Sequence, residues 1–185
     1  MTHTVTLVAD HLGVTAPKVL GHEYYVDAII DVTDLDDALT TTGDFIAVAN
    51  TFTRTSGTAM TAFTVGQALA ITNAADSGNN ATVTVTAVNG NLLTLSAVDA
   101  DETGDEVTFS KVNVLIPYSD FGLSSVTQVS VLGQEDLTID WRVELGTDGN
   151  TITADHLVLR PLTSSSGANT TNNCGTVRVR LFGLL

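Results

Sequence analysis

The sequence predicts an all-β protein, in which an outer β-sandwich or jelly-roll-like domain carries an inserted small β-barrel domain. The chain of 185 residues contains 30 Thr, a β-branched residue that suits the solvent face of a strand and disfavours helix interiors. Hydrophobic residues make up 43% of the chain and aromatic residues 5%, so we expect cores built from Val, Leu, Ile and Ala. Short segments of alternating apolar and polar residues recur along the chain, which is the pattern of half-buried strands.

The clearest strand pattern lies within residues 63–109. Residues 81–88 alternate strictly, and residues 92–95 follow them across Asn89-Gly90, a dipeptide that tolerates positive φ at both central positions of a tight hairpin turn. A turn at Gly66 and period-2 strands at residues 69–71 and 107–109 complete the module. We therefore expect a small β-barrel at residues 55–110, inserted into an outer domain of residues 1–54 and 111–185. We also expect it to protrude as an appendage.

The outer domain reads as a series of short strands. We predict them at residues 4–9, 24–32, 45–52, 112–116, 126–132, 138–144, 151–159 and 176–184. Between the second and third, residues 33–39 could form one helical turn that is capped by Thr33, with acidic residues where the helix dipole favours them. Pro117 ends the fourth strand, because proline cannot continue a central strand.

The C-terminal third contains the predicted anchor of the outer core and a predicted loop. Ile139, Trp141 and Val143 share one face of their strand, so we expect Trp141 to be buried there. Residues 163–173 lack periodicity and are polar apart from one Ala, which predicts a mobile loop or an arm. The last strand alternates Val177, Val179 and Leu181 with Arg178 and Arg180 and ends in apolar residues, so it should be docked.

The charge of the chain restricts its partners. The formal net charge is −14, from 21 acidic and 7 basic residues, and a surface of that sign repels phosphate backbones and anionic lipids. No apolar run approaches the roughly 20 residues needed to cross a bilayer. We therefore expect no direct nucleic-acid binding and no membrane partner. The single Cys174 excludes an intrachain disulfide, and the N-terminus lacks the pattern of a secretory signal, so we expect synthesis in the cytosol.

The candidate chemical sites are weak. Residues 99–106 hold five carboxylates on a predicted turn, and Ca²⁺ binding there stays open, although Ser110 occupies the position where an EF-hand loop needs a bidentate Glu. His3, His11, His22 and His156 show no paired metal-ligand spacing. Asp76-Ser77-Gly78 is a single loop, whereas aspartic proteases need two. We therefore expect no enzymatic activity, no cofactor and no metal.

Two features of the sequence resemble tailed-bacteriophage virion proteins. The module at residues 63–109 resembles a β-barrel that recurs as an insertion in such proteins. Asp120-Phe-Gly-Leu-Ser124 and the closing segment from Val177 to Leu185 resemble elements of head decoration, or cement, proteins. The resemblance implies a non-enzymatic structural protein that is made in the host cytoplasm, lies on the phage particle surface and stabilises the capsid lattice.

The implied partners are the major capsid protein, or another virion protein, and further copies of this chain. We expect a homo-oligomer, with three subunits as the natural number at local three-fold positions of a capsid. The expected contact residues are Arg178, Arg180, Phe182, Leu184 and Leu185. The copy number, the host and the location on head, neck or tail stay open.

Two alternative functions remain beside that of a decoration protein. The first is a tail, neck or fibre-associated protein with a host-surface binding module. Sugar-binding sites usually present aromatic rings, and the predicted barrel has only Phe63 and Phe109 at its ends. The second is a polysaccharide hydrolase, which needs two carboxylates at a defined separation in a cleft, whereas the acidic residues here cluster on predicted turns.

Overall fold

A computed structural model describes residues 2–10, 12–35, 38–146, 155–168 and 172–185. These residues form fourteen β-strands and three 3₁₀ turns of three or four residues, so the all-β prediction is confirmed. No helix among them has the length and hydropathy to span a membrane. The strands are β1 Thr2–Leu7, β2 Lys18–Leu20, β3 Glu23–Asp34, β4 Leu39–Ile46, β5 Thr51–Gly57, β6 Ala68–Thr72, β7 Thr82–Asn89, β8 Leu92–Leu95, β9 Glu102–Lys111, β10 Val114–Pro117, β11 Ser125–Gln134, β12 Ile139–Leu145, β13 His156–Thr163 and β14 Asn172–Leu184.

The chain forms two compact units. One unit comprises Met1–Leu35 and Val114–Leu185, and the other comprises Asp36–Asn113. The second unit therefore lies, in sequence, inside the first. Its limits differ from the predicted 55–110, because β4 and β5 pair with each other and with strands of the barrel.

The first unit is a β-sandwich of two antiparallel sheets. One sheet has the order β1-β3-β14-β11, with β2 added on β3, and the other has the order β10-β13-β12. Alternate residues of strands in both sheets form a single core, as the period of two in a strand requires. This core contains Val26, Ala28, Ile30, Val32, Leu35, Val114, Ile116, Tyr118, Phe121, Leu123, Ile139, Trp141, Leu157, Leu159, Cys174, Val177, Val179 and Leu181.

Two predictions about this unit are confirmed. Trp141 is 8% exposed and belongs to the core, as its place between Ile139 and Val143 predicts. Pro117 is the last residue of β10, which is an edge strand of the three-stranded sheet. An edge position leaves the missing N–H of proline without consequence for the ladder.

The second unit is a closed barrel with the strand order β4-β5-β8-β7-β6-β9, in which β9 pairs back onto β4. Its core contains a cluster of Phe rings: the ring centroids of Phe45 and Phe52 are 4.8 Å apart, those of Phe52 and Phe109 are 5.0 Å apart, and those of Phe63 and Phe109 are 5.6 Å apart. The prediction of cores built from Val, Leu, Ile and Ala therefore holds only in part for the barrel, whose core adds this group of Phe rings to such residues. Four of the six Phe residues lie in this one core.

Two glycines permit the local geometry of the barrel. Gly43 lies at irregular positions of β4 in both of its pairings, and a side chain there would overlap the Phe52 ring and the Thr53 carbonyl. Gly90 has a φ of 59° in the β7–β8 turn. The two residues between the paired positions of this hairpin are 90 and 91, because Asn89 pairs with Leu92 as the last residue of β7.

Several predicted elements have different limits in the structure. The predicted strand at 45–52 is wrong: the 3₁₀ turn Ala47–Ala49 and the left-handed Asn50 reverse the chain, and Ile46 pairs with Thr51 as a hairpin. The predicted helical turn is also wrong at both of its ends, because residue 33 belongs to β3 and residue 39 begins β4; residues 36 and 37 lie outside the described residues. In the predicted strand 151–159, the described part begins at residue 155, and β13 begins at 156.

The predicted loop at 163–173 is shorter than expected where the structure describes it. Thr163 ends β13, and Asn172 already belongs to β14. Residues 164–168 form a turn, in which the Gly167 N–H donates to the Thr163 carbonyl at 2.7 Å. Residues 169–171 lie outside the described residues.

Candidate partner-contact surface

The predicted contact residues lie on β14, an interior strand between β3 and β11, except for Leu185, which follows the last residue of the strand. Val177, Val179 and Leu181 of β14 are buried in the sandwich core, so the alternate residues Arg178 and Arg180 face away from it. The prediction that the last strand is docked is confirmed. It is docked within its own chain, on both of its edges.

Arg180 forms a bidentate ion pair with Asp27 of β3, which lies directly opposite it. The Arg180 Nε donates to Asp27 Oδ1 at 2.6 Å, and Nη2 donates to Oδ2 at 2.8 Å. Asp27 is only 7% exposed, and Arg178 Nη2 lies 4.0 Å from its Oδ2. The hydrogen bonds from Arg180 are the main cause that holds the pKa of Asp27 below its ordinary value. This carboxylate stays ionised, and it fixes the guanidinium in place.

Aromatic rings lie beside this ion pair. The Arg180 Cζ is 5.1 Å from the centroid of the Tyr25 ring, and the Lys18 Nζ is 5.7 Å from the same centroid. The ring centroids of Tyr25 and Phe182 are 6.2 Å apart. Cations at this separation are attracted to the ring face, so the two aromatic side chains and the guanidinium support one another.

We call this surface the sheet face. It consists of Lys18, Tyr25, Asp27, Ile29, Arg178, Arg180 and Phe182. Arg180 and Asp27 on this face are paired with each other, while the Arg178 side chain is 49% exposed and Ile29 is 38% exposed. Such a surface can bind a partner through apolar contact and the remaining donors of its arginines.

The apolar residues at the end of the chain have exposed side chains and a hydrogen-bonded backbone. Leu184 is 50% exposed and Leu185 is 61% exposed. The Ser124 N–H donates to the Leu184 carbonyl at 2.8 Å, and its Oγ donates to the Leu185 carbonyl at 2.8 Å. The backbone at the end of β14 is therefore held next to β11, and the two apolar side chains on it are exposed.

Sequence reasoning missed the β3 half of the sheet face. The alternation of Val26, Ala28 and Ile30 already places Tyr25 and Asp27 on the opposite side of their strand. The signal for outward-facing residues was therefore present. The pairing of β3 with β14 was not, because alternation does not report which strand is the neighbour.

The predicted acidic turn at 99–106 is partly strand, since β9 begins at Glu102. Several of its carboxylates accept hydrogen bonds from the backbone of neighbouring loops. Asp101 Oδ1 accepts from the Ala47 N–H at 2.7 Å, and Asp105 Oδ2 accepts from the Ala75 N–H at 2.6 Å. The Glu102 carboxylate accepts from the Asp76 N–H at 3.1 Å and from the side chain of Asn79. These acidic side chains hold barrel loops together.

The pKa values of two neighbouring carboxyl groups in this region, Glu102 and Asp105, are shifted in opposite directions. Burial raises the pKa of Glu102, and the hydrogen bond with Asp105 raises it further. The same hydrogen bond lowers the pKa of Asp105, with a further contribution from the Ala75 N–H. Glu102 is therefore the member of the pair that retains a proton at the higher pH.

The described residues contain no group of three or more His, Cys, Asp or Glu side chains that could hold a metal ion. His22 is exposed, His3 and His156 are half-buried, and His11 lies outside the described residues. Burial lowers the pKa of His3, and the nearby Asp120 opposes that shift.

The barrel contains a cavity that sequence reasoning did not find. It has a volume of about 170 Å³. Its lining residues are Phe45, Ile71, Gly78, Asn79, Ala81, Val83, Ala97, Val98 and Asp99. They come from strands and loops that are distant in sequence, so periodicity carries no signal for them.

The fold and these surfaces define an all-β protein of two units, with a preorganised face on the sandwich and a small cavity in the barrel. No family model matches the sequence, and neither the curated proteins nor the solved structures include a match to it.

Proposed function

We propose that this chain is a non-enzymatic structural protein of a tailed-bacteriophage particle, a head decoration protein that binds the major capsid protein and stabilises the capsid lattice. The observation that carries the proposal is the sheet face, where the Arg180–Asp27 pair lies among aromatic rings. Aromatic residues and Arg are enriched in the centres of protein interfaces. A surface that is ordered before binding loses less conformational entropy on association.

The two segments that resemble decoration proteins are neighbours in the fold. Asp120-Phe-Gly-Leu-Ser124 leads directly into β11, which pairs with β14 along its length. Phe121 and Leu123 are buried in the sandwich core, and Ser125 lies opposite Leu184. The resemblance thus falls on one structural element, the β11–β14 pair, next to the sheet face.

The charge distribution supports a partner of specific chemistry. The positive charges of Arg180, Arg178 and Lys18 all lower the pKa of Asp27. Three of the seven basic residues therefore lie on this one face of a chain with net charge −14. Complementary charge steers association and rejects wrong partners. An acidic patch on the capsid surface would be attracted to the sheet face and repelled by most of the remaining surface.

The proposal includes a homo-oligomer, with three subunits as the expected number. The exposed Leu184 and Leu185 lie beside β11, an edge strand on which Val131 and Leu132 are also exposed. Unpaired edges with apolar residues invite association. Because β14 is an interior strand, truncation would destroy the sandwich, so the test requires substitutions such as Leu184→Ser and Leu185→Ser. Light scattering should then show dissociation of the oligomer without loss of strand content.

A binding experiment tests the function itself. Purified chain is mixed with emptied capsids of the phage that encodes it and, separately, with host cells, and bound protein is measured after sedimentation. Arg178→Glu should abolish capsid binding, because it places an acidic group on the sheet face. Arg142→Glu, at an exposed position of β12 in the other sheet, serves as the matched control. Equal binding by both variants, or no capsid binding by the unaltered chain, would refute the proposal.

The alternative is a tail, neck or fibre-associated protein whose barrel contacts the host surface. The barrel cavity favours it, since ligand sites are concave and largely preformed. Quantitative mass spectrometry of phage particles distinguishes the two functions by the number of copies per particle. A number that matches the many sites of a capsid lattice indicates a decoration protein, and a number that matches one ring of subunits indicates a neck or tail protein.

A further inference from the structure

The turn between β7 and β8 contains the only Asn-Gly dipeptide of the chain, Asn89-Gly90. Asn89 pairs with Leu92 as the last residue of β7, so residues 90 and 91 span the turn. Asn89 and Gly90 are both exposed to solvent. A side chain placed on Gly90 would meet no atom within 4 Å, so the main chain at this turn is open to water.

The side-chain amide of Asn89 differs from those of the other asparagines in the barrel unit. Among the described residues, it takes part in no hydrogen bond. Every other asparagine of this unit forms at least one through its side chain, namely Asn50, Asn73, Asn79, Asn80, Asn91 and Asn113. An asparagine amide that has no other partner is free to approach the backbone of the residues next to it.

Asn91, in the same turn, provides a comparison. Its Oδ1 accepts hydrogen bonds from the Arg54 Nε at 3.2 Å and from Nη2 at 2.9 Å, and its carbonyl accepts from the Arg54 N–H at 2.8 Å. The residue after it is Leu92, the first residue of β8, whose side chain shields the backbone nitrogen. The turn therefore holds one fixed asparagine and one free asparagine.

The end of this hairpin has little to hold it closed. Residues 89–91 are exposed, and the first fully buried side chain of β8 is that of Leu93. Asn89 has to leave the extended conformation of a strand before its side chain can reach the next backbone nitrogen. Since exposed ends of elements open locally at a small cost in free energy, only the Asn89–Leu92 pair must separate for this to happen.

We propose that Asn89 is a site of spontaneous modification, where the side-chain amide is lost and an aspartyl or isoaspartyl residue forms. The backbone nitrogen of Gly90 attacks Cγ of Asn89, since no neighbouring side chain shields this nitrogen. The new N–Cγ bond closes a five-membered imide ring as the Cγ–Nδ2 bond breaks, and Nδ2 leaves as ammonia with the proton of the attacking nitrogen.

Water then opens the imide ring. It adds to one of the two carbonyl carbons, and the bond from that carbon to the Gly90 nitrogen breaks. Addition at Cγ gives aspartate, and addition at the main-chain carbon gives isoaspartate. Either product adds one negative charge to the turn, and isoaspartate also adds one carbon to the main chain between residues 89 and 90. The site lies in the barrel unit and does not depend on the decoration function.

The test incubates the full chain at pH 8, digests samples at acid pH and identifies the modified residues by mass spectrometry with fragmentation. Asn89 should gain the mass that exchange of NH₂ for OH requires, and protein isoaspartate methyltransferase should label part of the product. Conversion at Asn91 should be at least about tenfold slower. Asn89→Gln should not react at this position, because its ring would need six members. Asn89→Asp marks the elution of the aspartyl product in anion-exchange chromatography.

The same incubation in urea separates the effect of the fold from that of the neighbouring residue. The ratio of the rate in urea to the rate in buffer measures how strongly folding protects each asparagine. This ratio should be at least about tenfold smaller for Asn89 than for Asn91, because only Asn91 is hydrogen-bonded to β5. Equal protection of the two residues, faster conversion at Asn91, or no conversion of Asn89 in the folded chain would each overturn the proposal.

Discussion

Arg180 of β14 and Asp27 of β3 are joined by two hydrogen bonds, at 2.6 and 2.8 Å, across 153 positions of sequence. The pair connects the last strand of the chain to a strand near its beginning, on the face of the sheet that does not contribute to the core. The carboxylate is nearly buried, and the guanidinium is partly exposed. The pair therefore stabilises the sheet and also shapes its surface.

Asp27→Asn should lower the free energy of unfolding at pH 7 by about 1.5 to 3 kcal/mol, the range for hydrogen bonds to charged groups. Since Arg180 depresses the pKa of Asp27 in the folded chain, this stabilisation is present above the ordinary value of 3.8 and is lost as the pH falls below it. Urea unfolding at several pH values should show that the two proteins differ less in free energy of unfolding below pH 3.8 than above it.

The control for Asp27→Asn is Glu144→Gln. Glu144 pairs with Arg142 at 3.1 Å, but the two side chains are 58% and 61% exposed, so the loss should stay below about 1 kcal/mol. Losses of the same size in both variants would contradict the role assigned to the Asp27 pair.

Trp141→Ala should destabilise the sandwich by about 3 to 5 kcal/mol, the range for deleting a buried large aromatic side chain. Trp141→Phe should lower the free energy of unfolding by less than about 1.5 kcal/mol. The buried indole N–H has no hydrogen-bond partner among the described residues, so its removal is favourable and offsets part of the free-energy cost of the smaller side chain. Urea unfolding measures both. Equal losses would argue that the indole nitrogen has a partner.

Asn79→Ala should destabilise the barrel by about 2 kcal/mol, because it removes three hydrogen bonds from the nearly buried Asn79 side chain to the backbone of Asp99 and Ala100. Asn89→Ala, at the exposed end of β7, is the matched control and should change stability by no more than about 0.5 kcal/mol. Hydrogen exchange of the amides at 99 and 100 checks the local mechanism: it should accelerate in the first variant and stay unchanged in the second.

Glu102→Gln should alter how barrel stability depends on pH above 4.5, the ordinary value for Glu. The pKa of Glu102 is raised in the folded chain, so the unaltered protein loses stability as the pH rises through that raised value. The pKa of Asp105 is lowered, and its contribution is already complete in this range. The melting temperature of the variant minus that of the unaltered chain should therefore be larger at pH 7 than at pH 4.5. A difference in melting temperature that does not change with pH would contradict the raised pKa of Glu102.

Replacement of residues 36–113 by a short Gly/Ser linker should leave the sandwich folded. Every member of its core belongs to residues 1–35 or 114–185, and domain insertions are tolerated where both parts keep their own core. Near-ultraviolet circular dichroism of Trp141 and a cooperative urea transition are the readouts. Loss of both signals would show that the sandwich requires the barrel.

The sequence by itself determined the fold class and several of the local elements. Alternation identified the face of β12 that carries Trp141, and the Asn89-Gly90 turn located the β7–β8 hairpin, although with a positive φ only at Gly90. These features depend on residues that are close in sequence. Burial of one strand face leaves a period-two pattern whichever strand lies next to it.

The tertiary structure decided which strands are neighbours. β4 and β5 looked like one strand of the outer domain, yet they close the barrel and bring Phe45 and Phe52 into its core. In the same way, Asp27 meets Arg180 because β3 pairs with β14. The sheet face and the barrel cavity depend on these long-range pairings. Such pairings are selected by the packing of the whole core, and an alternating strand is compatible with many partners, so the order of strands cannot be read from any one segment.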